Sequence, residues 1–205
     1  MTDKLATLTF KDDISIITLD DGKANVFSLS MINDVNACLD KVPTESGCLV
    51  IKGREGMFSA GFDLKVIGSG DMSAIQDMSL NGFKMLSRIL DFPRPVIAGC
   101  SGHGIALGTF LLCCCDYRVG IKGEYMIGAN EMRTNMVIPT PILELIKFRV
   151  AQSHKYRAFL EELCTQSILL LKQGLLMRLL IKIVLKKSLC LRQKIWQQWA
   201  IQAIR

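Results

Sequence analysis

Histidine, tryptophan and tyrosine are scarce in this chain: two, two and three in 205 residues. His103 and His154 lie far apart, and the eight cysteines lack the paired spacing of a zinc site. No metal is therefore expected. The chain also lacks the small secreted setting of a disulfide framework, which points to reduced thiols in a cytoplasm-like compartment. The start, Met-Thr-Asp-Lys, shows no apolar run behind a basic segment, so no secretory signal is visible. Nor is there a stretch of eighteen uninterrupted apolar residues, so no membrane-spanning helix is expected.

Acidic residues are missing altogether after Glu162. Leu163 to Arg205 carries eight Lys and Arg, whereas the first 162 residues hold 17 basic against 19 acidic residues. The net charge of +6 thus belongs to the tail, and the slightly acidic body excludes a nucleic-acid surface there. Half of all residues are apolar and 21% are charged, which excludes a disordered chain and suits one sizeable core.

The remaining pattern reads as an α/β layered fold, strands alternating with helices. Leu5–Phe10 and Ile14–Leu19 alternate around Lys11-Asp12-Asp13 as a hairpin. Ser30–Leu39 has helical periodicity behind Ser28 or Ser30 as a cap. Cys48–Ile51 and Pro95–Cys100 are short buried strands, each running into a glycine-rich loop. One or two helices with a Met-rich face span Asp71–Leu90 and stop at Pro93-Arg94-Pro95. A compact apolar helix follows over Thr109–Cys115, then strands at Tyr117–Val119 and Glu124–Ile127, then helices at Pro141–Val150 and His154–Leu163.

The two strand–loop–helix units carry the chemistry. Backbone N–H groups at helix starts are unpaired and can hold developing negative charge, so two such loops side by side can form an oxyanion hole. A glycine after a strand is also an ordinary turn, and neither loop alone specifies a site. Four motifs in order are far more specific: Phe58-Ser-Ala-Gly-Phe-Asp-Leu-Lys, Gly102-His-Gly-Ile-Ala-Leu-Gly, Cys115-Asp-Tyr-Arg and Ile127-Gly-Ala-Asn-Glu-Met. Over residues 5 to 162 this resembles the crotonase superfamily, the enoyl-CoA hydratases and isomerases. The resemblance implies a ClpP/crotonase-like spiral of ββα units and an acyl-CoA thioester substrate, coenzyme A being part of that substrate and no separate cofactor being needed. It also implies that the backbone N–H groups of Ala60 and Leu107 hold the thioester oxygen.

Family hydratases carry two glutamates. This chain has Phe110 at the first position, where no proton can be moved, and Glu131 at the second. Hydration needs a water activated between two carboxylates, whereas shifting a double bond from C3 to C2 needs one base. The Gly128-Ala-Asn-Glu and Cys115-Asp-Tyr-Arg strings also resemble the Δ3,Δ2-enoyl-CoA isomerases of fatty acid β-oxidation. The alternatives are a hydratase working with Glu131 alone and an inactive acyl-CoA-binding remnant. Lys23 and Ala24 fall where the family binds the CoA nucleotide. Ala60, Gly61, Phe62, Asp63, Leu64, Ala106 and Phe110 fall along the acyl-CoA path, with Asp63 mostly structural. His103 reads as a hydrogen-bonded packing residue, the cysteine run as small-residue packing, and Met72, Met78 and Met85 as core or acyl-pocket lining.

Beyond Leu163 the resemblance stops, which divides the chain into a core at 1–162 and an aberrant basic, Leu-rich tail at 163–205. Back-translating Leu171 to Leu185 and reading from the third base of each codon permits Glu-Ala-Gly-Phe-Val-Asp-Ala-Val-Val, a family-like turn. The tail thus reads as a frameshift product lacking the family's C-terminal helices. Taken at face value, it reads instead as a membrane-surface or partner-binding helix. The family implies a homotrimer or hexamer, which loss of those helices would undermine; the reduced thiols point to a cytoplasmic location.

Overall fold

The computed structural model describes residues 4–131, 136–152, 165–166 and 178–180. The basic tail from Leu163, expected as a frameshift product, and the helix expected over His154–Leu163 lie almost wholly outside the described residues. Ala6–Lys11 (β1) and Ile14–Leu19 (β2) form the antiparallel hairpin, paired from Ala6 with Leu19 to Lys11 with Ile14. Val26–Phe27 (β3) leads into Leu29–Leu39 (α1), capped by Ser28. Cys48–Lys52 (β4), Gly56–Ser59 (β5) and Gly61–Phe62 (β6) precede a short helix, Leu64–Gly68 (α2), and one long one, Met72–Leu90 (α3). Val96–Cys100 (β7), Gly102–Ile105 (β8), Leu107–Cys114 (α4), Tyr117–Ile121 (β9), Met126–Gly128 (β10) and Thr140–Arg149 (α5) complete the body. Two further strands follow, Thr165–Gln166 (β11) and Arg178–Leu180 (β12).

Among the described residues the strands form three sheets: β1-β2-β4-β7-β9-β12, β11-β10-β8-β5, and the pair β3-β6. Past the hairpin, the large sheet is parallel. Its last strand pairs Arg178–Leu180 with Val119–Ile121, so the backbone of this sheet continues past the composition break at Leu163.

β4 and β7 are buried along nearly their whole length, as parallel strands covered on both faces must be. Alternation splits their side chains between two clusters. Leu49, Ile51, Val96, Ala98 and Cys100 join the main core under α1, α3 and α4. Cys48, Val50 and Ile97 join a smaller cluster with Ile14 and Val119 on the opposite face. α1 and α3 each bury one stripe: Met31, Ile32, Val35, Cys38 and Leu39 on the first, and Met78, Gly82, Met85, Leu86 and Ile89 on the second. α4 is buried all round. It makes no side-chain cap bond, so burial holds it, at about 1.5–3 kcal/mol for each fully buried Leu or Phe.

Two segments expected as glycine-rich loops are strands, β5 and β8. A β-carbon at Gly102 would stand 1.9 Å from the Gly56 carbonyl carbon. Glycine there permits the close approach of these strands, while their shortness hides the alternation that marks a strand.

Candidate active site

The first loop leaves β5 at Ser59 and is held from below by the strand-connecting segment at 20–25. Asn25 is fully buried, adopts φ 51°, and donates through Nδ2 to the carbonyls of Leu19 (2.9 Å), Phe58 (3.2 Å) and Met57 (3.3 Å). Ser59 Oγ donates to Asn25 O (2.7 Å) and accepts from Gly61 N–H (3.1 Å). Asp21 accepts backbone N–H bonds from Lys23, Asn25 and Val26. Burial pushes the Asp21 carboxyl up, but those bonds outweigh it and hold it below the usual carboxylate range.

The same strap corrects one expectation. The Ala60 N–H donates to Ala24 O at 2.9 Å, completing a contact that ties the loop at 60 to the loop at 24. It is therefore committed within the fold rather than presented to an oxyanion. Gly61 N–H is committed to Ser59 Oγ, so the N–H groups of both Ala60 and Gly61 are taken up within the fold.

The second loop meets the first directly. At Gly61 (φ 91°) a β-carbon would stand 2.7 Å from Ala106 Cβ and 3.2 Å from the Leu107 nitrogen. Ala106 adopts φ 51°, ψ −122°, a region that costs a non-glycine residue about 1–3 kcal/mol. This turn starts α4 at Leu107, two residues before the start expected from apolar periodicity. Among the described residues no acceptor takes the Leu107 N–H. It stands at the positive end of a helix, where negative charge is favoured.

Glu131 follows three residues after the end of β10. The ladder pairs Ile127 with Gly104 and Gly128 with Ile105, and Ala106 N–H donates to Gly128 O at 3.0 Å. The strand carrying Glu131 therefore leaves the sheet beside the second loop. Glu131 is 5% exposed, the one buried carboxylic acid among the described residues. Burial pushes its carboxyl up to about 7, against weaker opposing bonds from its own and the Asn130 backbone N–H. An acid poised near neutrality can take and return a proton at working pH.

The other expected residues sort by position. Phe110 is 2% exposed, inside the main core. Phe62 is half-buried against Phe83, edge to face at 5.7 Å. Asp63 caps α2, accepting from Lys65 N–H at 2.9 Å, and Leu64 beside it is exposed. Lys23 is exposed and its carbonyl accepts from Arg54 Nε at 2.7 Å, while Ala24 is half-buried. His103 accepts from Met126 N–H through Nδ1 at 3.1 Å and packs against Tyr125. Met78 and Met85 are core residues and Met72 is exposed. A mainly apolar pocket of about 310 Å³, lined by Phe83, Leu86, Leu90, Cys114, Ile142 and Leu145 among others, lies at the opposite end of α4 from Leu107. The cysteine run is sealed in, with burial pushing Cys113 up to about 11 and Cys114 up to about 12. Among the described residues no cluster could hold a metal, and no helix is long and apolar enough to cross a membrane.

Thr109 and Asn25 were not singled out from the sequence. Thr109 is the one polar residue in the apolar run of α4, and Asn25 adjoins the Lys23-Ala24 pair; each oddity was a usable signal.

Known proteins place this fold. The enoyl-CoA hydratase/isomerase family model matches residues 9–167. The chain belongs to the enoyl-CoA hydratase/isomerase family. Members of this family include a probable enoyl-CoA hydratase of Bacillus subtilis, 28% identical over 129 residues, 60% of this chain and 49% of that protein. Enoyl-CoA delta isomerase 3 of Arabidopsis thaliana is 27% identical over 162 residues, 76% of this chain and 68% of that protein. The chain thus spans about half of the first relative and two thirds of the second. The crystal structure of a probable enoyl-CoA hydratase from Mycobacterium tuberculosis superposes with a TM-score of 0.89 at 34% identity, covering 95% of this chain and 82% of the other. Such structures confirm the crotonase-type α/β fold.

Proposed function

We propose that this chain moves the double bond of a 3-enoyl-CoA to the 2-position, with Glu131 as its one base. The observation that carries the reading is Glu131, the one buried carboxylic acid among the described residues, set beside the loop that starts α4; by the family resemblance, Phe110 falls where hydratases carry their other glutamate. In this reading the Glu131 carboxylate takes a proton from C2 of the thioester. The resulting dienolate oxygen is held by the Leu107 N–H. Glu131 then returns the proton to C4. One C–H bond breaks and another forms, the double bond shifts, and the base ends as it began. An oxyanion donor of this kind is worth about 3–4 kcal/mol.

The isomerase named among the relatives supports this reading, and the hydratases named there favour the runner-up, in which Glu131 alone activates water. Incubating the chain separately with 3-enoyl-CoA and 2-enoyl-CoA separates them. The isomerase reading expects interconversion with no 3-hydroxyacyl-CoA. Formation of the hydroxy product would install the hydratase reading, and binding without turnover the inactive remnant.

The tail stays a separate proposal: residues 163–205 are an out-of-frame product attached to a core at 1–162. Resequencing the coding region tests this, and an in-frame reading confirmed on both strands would sink it. In the frame-restored chain, turnover and solubility should both rise.

A further inference from the structure

The geometry points to Thr109 as a positioning residue that sets Glu131 against the start of α4. This inference rests on the base role proposed for Glu131. Thr109 is 4% exposed and stands in the first turn of α4, two residues after Leu107. Its hydroxyl donates to Gly104 O at 2.7 Å and accepts from Gly128 N–H at 3.0 Å. Gly104 lies in β8, which leads into the Leu107 turn; Gly128 ends β10, which leads into Glu131. The other polar end of Gly128, its carbonyl, accepts from Ala106 N–H at 3.0 Å. Both ends of the Gly128 residue are thus tied to the segment that presents the Leu107 N–H, one of them with Thr109 as a partner.

The hydroxyl stands between two ladder strands as donor to one and acceptor from the other. Valine has nearly the same shape and can do neither. The Gly104 carbonyl and Gly128 N–H, in strands already paired at Ile127–Gly104 and Gly128–Ile105, would then lose the hydroxyl they share. The spacing of the end of β10 from β8 would change, and Glu131 after it would move with it. A displacement on the order of 1 Å at a reacting group costs about 10²-fold in rate. Serine keeps the hydroxyl and restores both bonds.

The test compares the full chain with Thr109→Val and Thr109→Ser, measuring 3-enoyl-CoA isomerisation and binding of a saturated acyl-CoA. Thr109→Val should lower kcat roughly 10- to 100-fold with KM and acyl-CoA affinity within threefold. Thr109→Ser should recover kcat to within threefold. A Thr109→Val kcat within twofold of the parent, a rise in KM that accounts for the loss, or no rescue by serine would overturn the proposal. Should the valine variant not fold, Thr109→Ala takes its place; failure of both to fold while serine folds makes Thr109 structural only and equally overturns it. If the parent shows no turnover, the proposed reaction fails. Thr109 is then judged on Glu131 by carboxyl-labelled NMR titration. A midpoint moved at least one unit by Thr109→Val, and restored by serine, upholds the positioning role; an unchanged midpoint refutes it.

Discussion

Replacing Glu131 by glutamine should make the folded protein more stable in mild base while removing its chemistry. The carboxyl is pushed up to about 7 in the fold from an ordinary 4.5, because burial disfavours the charged form. Below pH 4.5 the acid is protonated whether the chain is folded or not, and it adds no pH dependence. Between 4.5 and 7 the unfolded chain ionises first, so folding becomes steadily less favourable as pH rises. Above 7 the full penalty is present, about 3 kcal/mol at 1.36 kcal/mol per unit. Glutamine does not ionise and escapes it. Its amide nitrogen fits poorly against the two backbone donors now facing the carboxylate, which offsets about 1 kcal/mol. Urea unfolding of parent and Glu131→Gln at pH 4.5, 6 and 8 should therefore show a gap that opens with pH and reaches about 2 kcal/mol at pH 8. The activity of the parent should rise with pH through the same range, with kcat/KM half-maximal near 7. A stability gap that stays constant across pH would refute the burial argument for Glu131.

Gly61→Ala should cost about 2–3 kcal/mol in chemical denaturation, since it combines a positive φ with a β-carbon crowding Ala106 and Leu107. It should also depress turnover more than acyl-CoA binding; an unperturbed variant would mean that the two loops do not meet as described. In alkylation mass spectrometry of the native protein, Cys100, Cys113, Cys114 and Cys115 should stay unmodified at pH 8 and react only on unfolding, because burial keeps them as thiols. Rapid native labelling of the run would show that α4 is not the sealed centre of the core.

The elements with long apolar patterns were legible in the sequence. The hairpin, α1 behind Ser28, β4, β7 and α3 all fall within a residue or two of their expected limits, because burial of one stripe or of a whole strand writes a periodic signal. Glycine-rich β5, β6 and β8 were not legible as strands. They have few side chains to alternate, and their pairing depends on close backbone approach, which leaves no periodic trace. α4 begins at Leu107 because of the positive-φ turn at Ala106, a backbone event invisible in a composition of Ala, Leu and Gly. At the candidate site the positions of Glu131, Leu107 and Phe110 came from the family resemblance; the fold buries Glu131 beside the loop that starts α4 and puts Phe110 in the main core. The expected first-loop donor, Ala60, gives its N–H to the Ala24 carbonyl in the fold. The hydrogen bond from Ala60 to Ala24 joins residues far apart in sequence, and only the folded backbone reveals it. Thr109 and Asn25 were passed over for the same reason: their roles lie in which remote carbonyls and N–H groups they meet.

The most direct test of the account follows the proton. Parent and Glu131→Gln proteins are incubated with 3-enoyl-CoA in deuterated water, and the products are read by mass spectrometry and NMR. The parent should yield 2-enoyl-CoA carrying deuterium at C4 wherever Glu131 has exchanged with solvent, and no product heavier by a water. The glutamine variant should be slower by about 10²–10⁴-fold while still binding acyl-CoA. Isomerisation by the variant within threefold of the parent, or a hydrated product as the main species, would contradict Glu131 as the single base of a double-bond shift.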